Sequence, residues 1–96
     1  MPVNACETIT VGTSAVSWDP ASRYYAGQRP VHTKQMVKNR GNTGIGVNEW
    51  GTAVMDGPDT EYIPPGGYGI YSMKVLSIIS DAAGGKVEVG GNGGRS

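Results

Sequence analysis

An all-β fold, a small antiparallel β-sandwich or jelly-roll-like domain, is what the sequence predicts, and three observations predict it. Ten Val and six Ile stand against one Leu and no Phe, and branched side chains suit a pleated strand better than a helix. Sixteen glycines and six prolines punctuate the 96 residues, which leaves little room for a long helix. Between these breakers lie short stretches in which apolar and polar residues alternate with period two.

Length and composition set the next limits. A chain of 96 residues makes one domain, and one of this size buries only about 60–70% of the surface its unfolded form exposes. Residues 1–5 read as an arm, 6–89 as the sandwich and 90–96, G-G-N-G-G-R-S, as a glycine-rich tail. Cys6 is the one cysteine, so it has no partner for an intramolecular disulfide and reads as a small apolar residue. His32 is the one histidine and has no Cys or His at ligand spacing, so neither metal nor cofactor is expected. A thin core without disulfide or metal leaves self-association or docking on a larger assembly as the supplement. Eight basic residues balance eight acidic ones, and they are interspersed, which argues against a nucleic-acid-binding surface. The start M-P-V-N-A-C-E-T has no basic and apolar leader, and no run approaches the ~18 apolar residues of a membrane span. Synthesis in a cytoplasm and no membrane partner are the expectation.

Taken in order, Cys6–Val11 alternates and forms a first strand with Ile9 and Val11 inward. Gly12-Thr13-Ser14 turns the chain into a second, Ala15–Trp18, which Asp19-Pro20 ends, since a residue before proline is held extended. The loop A-S-R-Y-Y-A-G-Q-R-P carries Tyr24, Tyr25 and Arg29. Tyr and Arg are enriched where proteins touch, although a loop tyrosine also covers the end of a small core. Val31–Asn39 is the longest clean alternation, with a charged face that suits an edge strand. Asn39–Gly44 is a turn by composition and is expected to close a hairpin. Ile45–Trp50 follows as a strand, in which Gly46 marks a close backbone approach or a bulge.

Thr52–Met55 reads as a brief strand that gives way to Asp56, Asp59 and Glu61. These carboxylates lack the ligand spacing of an EF-hand and read as a solvated turn. Pro64-Pro65-Gly66-Gly67 reverses the chain into the strand Tyr68–Met73. Val75–Ser80 is the most apolar run and reads as a central strand; with Lys86–Val89 it is expected to form a hairpin across Asp81–Gly85.

From Val37 onward the signals Lys38-Asn39-Arg40-Gly41, Ile45-Gly46-Val47, Pro64-Pro65-Gly66-Gly67, Ile70–Met73 and Leu76–Val89 resemble small structural proteins of tailed bacteriophage virions. The likeness covers roughly the last 60 residues and is one of strand and turn order. It implies a non-enzymatic β-sandwich or jelly-roll-like virion subunit, often a symmetric homo-oligomer, with no catalytic residues to carry over. The leading expectation is a capsid decoration or cement protein that binds the major capsid protein on the outer surface of a phage head and stabilises it. Trp18, Tyr24, Tyr25, Arg29, Trp50 and Tyr62 are the candidate interface residues. A head-fibre, neck or tail subunit fits the same resemblance. A carbohydrate-binding module is the alternative from another class, because aromatic platforms stack on sugar rings. No nucleophile, base and orienter appear together, so an enzyme is not expected.

Overall fold

Period-two alternation becomes strand pairing along most of the chain. The structure, a computed structural model, describes residues 6–20 and 34–90. Their elements are β1 (Cys6–Val11), β2 (Val16–Trp18), β3 (Lys34–Asn39), β4 (Ile45–Asn48), β5 (Glu61–Ile63), β6 (Tyr68–Ser72), β7 (Leu76–Ser80) and β8 (Gly85–Gly90), with no α-helix among them. They form two four-stranded antiparallel sheets, ordered β1-β8-β3-β6 and β2-β7-β4-β5.

Each strand commits one face to a shared interior. Val11, Val37 and Val87 of the first sheet join Trp18, Ile45, Leu76 and Ile78 of the second in one buried cluster, against which Ile9 and Val16 pack. Each such Val, Leu or Ile stabilises the fold by about 1.5–3 kcal/mol when removed from water. The inward placement of Ile9 and Val11 is therefore borne out. So is the central position of the apolar run, since β7 lies between β2 and β4.

Several connections differ from the expected ones. β7 and β8 are not a hairpin, because β8 pairs with β1 and β3 in the other sheet. Both strands are apolar on the inner face and both are interior strands with two neighbours, which one tight hairpin at a sheet edge would not provide. The chain turns from one sheet to the other at Ser80–Gly85: Ser80 N–H donates to Gly12 O at 2.8 Å, Asp81 N–H to Gly44 O at 2.9 Å, and Gly84 takes a positive φ of 84°. At Gly85 an added Cβ would run into the Ser80 side chain, so only glycine fits where the turn closes.

The Asn39–Gly44 turn likewise joins β3 to β4 in the other sheet rather than closing a hairpin. Asn39 is the hub of that corner. Its buried Nδ2 donates to Thr43 O at 2.9 Å and Ile63 O at 3.0 Å, while its Oδ1 accepts from Gly41 N–H at 3.0 Å. Nor is β3 an edge strand: it is flanked by β8 and β6, and Lys34 and Lys38 stand on its outer face, where charge needs no burial. Thr52–Met55 is loop, whereas Glu61–Ile63, expected as loop, is the edge strand β5. Gly90, expected to open the tail, ends β8 opposite Cys6 and Met36.

Candidate binding surface

The loop after β4 builds the most structured surface feature of the described residues. Gly46 makes it possible, since the loop folds back over the outer face of β4. A Cβ on Gly46 would lie 2.7 Å from Thr60 Cγ2 and 3.1 Å from both Ile79 Cγ2 and Met55 Sδ, so the close approach at this glycine is by side chains rather than by the backbone expected there. Hydrogen bonds then hold the loop in place. Asn48 Oδ1 accepts from Trp50 N–H at 2.7 Å and Gly51 N–H at 3.0 Å, the local bonding by which Asn replaces a backbone partner in a turn. Glu49 Oε1 accepts from Ser72 Oγ–H at 2.6 Å and Ser72 N–H at 3.1 Å. Ala53 N–H donates to Ser77 Oγ at 2.8 Å.

This scaffold presents Trp50 to solvent, 74% exposed, with Lys74 Nζ 4.1 Å from its ring centroid. An ammonium at that distance is attracted by the ring face and limits the ring's rotation. Beside it opens a cleft of about 460 Å³ lined by Ser17, Glu49, Trp50, Thr52, Lys74 and Ser77. The cleft offers an aromatic face, hydroxyls and one charge of each sign. Val54, Val75, Tyr62 and, on the other sheet, Tyr68 and Ile70 are further large apolar side chains left exposed.

The candidate interface residues therefore separate. Trp50 and Tyr62 are exposed, and the Tyr62 ring lies across Gly44, where a Cβ would collide with it. Trp18 is not on the surface: it is 1% exposed and part of the core, because Val16 and Trp18 share the face of β2 that turns inward. Tyr24, Tyr25 and Arg29 lie outside the described residues, as do His32, the arm and the tail beyond Gly90. Asp56, Asp59 and Glu61 are all exposed, and no group of three or more His, Cys, Asp or Glu among the described residues is placed to hold a metal ion. Sequence reasoning missed Glu49, Lys74, Val75, Tyr68 and Ile70. The alternation Tyr68-Gly69-Ile70-Tyr71 carried a signal for the last two, since the small Gly69 marks the face on which Tyr71 lies buried.

Tyr71 is the one described group with a large displacement of its titration. Burial pushes its phenol well above the ordinary range, and the Glu61 carboxylate, followed by Glu49, adds to the effect. Among the described residues its buried hydroxyl makes no well-aligned hydrogen bond. A pKa raised in the folded state keeps its stability below the unfolded value of about 10 and loses it as pH rises beyond that. Denaturation curves above pH ~10 are expected to show a loss of stability that Tyr71→Phe reduces, at a cost of less than about 1 kcal/mol near neutrality.

No family model, no curated protein and no solved structure matches the chain.

Proposed function

We propose that this chain is a non-enzymatic virion structural protein, a capsid decoration or cement subunit that binds the outer surface of a phage head, with its two sheets packed as a β-sandwich. The observation that carries the reading is Trp50, an exposed aromatic on a loop whose backbone is held by Asn48 and the Glu49–Ser72 clip, with Lys74 against its ring. A residue whose backbone is already held loses less freedom on docking, and Trp is among the residue types enriched at the energetic centre of an interface. The resemblance of the strand and turn signals in the sequence to those of small phage virion proteins motivates the same assignment. Val75, also exposed, lines the same cleft as Trp50, and an exposed apolar surface of this kind is suited to contact with the major capsid protein.

Co-sedimentation with tailed-phage heads tests it. The chain is expected to pellet with heads, and Trp50→Ala to weaken binding by at least about thirtyfold, the loss of a residue contributing roughly 2 kcal/mol. The same variant is expected to keep its stability within about 0.5 kcal/mol, because an exposed side chain leaves no cavity. Failure of the wild-type chain to pellet contradicts the assignment.

A second reading has its own observation. A sugar ring stacked on Trp50 would reach the hydroxyls of Ser17, Thr52 and Ser77 that line the cleft. Saturable glycan binding lost in Trp50→Ala, without head binding, would favour it.

A further inference from the structure

The hydrogen-bond register of β6 shows which of its backbone groups are unused. β6 is an edge strand, paired with β3 through Val37↔Gly69, Met36↔Ile70 and their neighbours. One step beyond, Asn39 N–H donates to Gly67 O at 2.8 Å, and on the far side of β3, Arg40 N–H donates to Lys86 O at 2.9 Å. Bonded and non-bonded pairs alternate along an antiparallel ladder. Asn39, Val37 and Gln35 therefore bond to β6 through Gly67, Gly69 and Tyr71, and the even residues of β3 bond to β8. Tyr68, Ile70 and Ser72 turn their N–H and C=O groups to the open edge. Ser72 is already closed off, with its N–H held by Glu49 and its O accepting from Lys74 N–H at 2.9 Å and Gln35 Nε2 at 3.0 Å. At the other end the turn uses itself up, as Gly67 N–H donates to Pro64 O. Among the described residues, what remains open is one N–H and one C=O on each of Tyr68 and Ile70.

We propose that two copies of this chain join by antiparallel pairing of β6 with β6 about a two-fold axis at Gly69. In that register Tyr68 of one copy faces Ile70 of the other, and each free donor meets a free acceptor with none left over. A register centred on Ile70 would instead oppose Tyr68 to Ser72, whose groups are taken. This is the argument for a second copy rather than a foreign strand: the open stretch is its own complement. The side chains agree with the backbone. Tyr68 is 62% exposed and Ile70 40%, and facing each other they form an aromatic and β-branched cross-strand pair, a favourable combination on a sheet. The narrow, non-bonded position on the axis falls on Gly69. Edge strands left open are normally blunted by charge or proline, and β6 carries neither within Tyr68–Ser72. The pairing stands on the register alone, so it holds or fails independently of head binding.

The test is Ile70→Pro, read by native mass spectrometry and light scattering across micromolar to millimolar concentration. Proline is tolerated on an edge strand where the N–H faces outward. The wild-type chain is expected to dimerise and the variant to dimerise more than about tenfold more weakly, with its far-ultraviolet spectrum and cooperative unfolding retained. Hydrogen exchange on the wild-type chain provides the second readout: amide protection at Tyr68 and Ile70 rises with concentration, while that of Gly69 and Tyr71 stays high throughout. A wild-type monomer at millimolar concentration overturns the proposal. So does a dimer that Ile70→Pro leaves intact with Tyr68 and Ile70 amides unprotected, or head binding lost in the variant when no dimer forms in the wild type, which would place a capsid strand on this edge.

Discussion

Trp18→Ala is expected to destabilise the domain by about 3–5 kcal/mol, the cost of emptying a large aromatic site in a core that only partly collapses around it. For a protein whose total margin is on the order of 5–15 kcal/mol, much of the population then unfolds under mild denaturant. The reason is local as well as volumetric. β2 has three residues, pairs among the described strands with β7 alone, and sets Val16 and Trp18 opposite Ile78 and Leu76. Without the indole the strand has little apolar surface left to keep it docked, and the cleft loses the wall that Ser17 supplies. Urea denaturation followed by circular dichroism measures the effect. The contrast with Trp50→Ala makes the result decisive, because the two tryptophans are predicted to divide cleanly into one that folds the chain and one that binds. Equal stability losses at both positions would contradict the placement of Trp18 in the core.

Asn39→Ala is expected to cost about 3–4 kcal/mol, more than its small volume suggests. Its side chain makes hydrogen bonds to Thr43 O, Ile63 O and Gly41 N–H, each contributing roughly 1 kcal/mol, and deletion takes a donor from the buried Ile63 carbonyl. The backbone of the same residue is tied to the β5–β6 turn, accepting from Gly66 N–H at 3.0 Å as its own N–H reaches Gly67 O. One side chain thus fastens the end of β3 to the end of β5 in the opposite sheet. Hydrogen exchange should show lost protection concentrated at Gly41, Ile45 and Ile63. Asn39→Asp keeps the acceptor for Gly41 and replaces the amide donor by a carboxylate facing two carbonyl oxygens, so it is expected to cost at least as much as alanine at neutral pH. A substitution that changes stability by less than about 1 kcal/mol would show that the corner is held by its backbone alone.

The fold class and most strands were legible because their signals are local. Val87 and Val89 alternate with Lys86 and Glu88, and Ile9 and Val11 with Thr8 and Thr10, so facing was readable without knowing any partner. Sheet membership was not. Asp81–Gly85 and Asn39–Gly44 have the composition of a hairpin turn, and the same residues serve a crossing between sheets; what decides is a set of bonds such as Ser80 to Gly12 that joins segments far apart in sequence. The edge position of β6 was hidden for the same reason. Part of the candidate surface was readable. Trp50 and Tyr62 emerged as exposed, while the Val16–Trp18 spacing, which puts both side chains on one face, was the local sign that Trp18 turns inward. The Glu49–Ser72 clip and the approach of Lys74 to Trp50 span more than a score of residues, and no local pattern announces them.

The most direct measurement is a cryo-electron-microscopy map of tailed-phage heads incubated with this chain, compared with heads alone. The account predicts added density at symmetry-related positions on the outer surface, with the Trp50 side of the domain against the shell and the density absent when Trp50→Ala is used. Identical maps with and without the chain, at concentrations well above that needed for decoration, would contradict it.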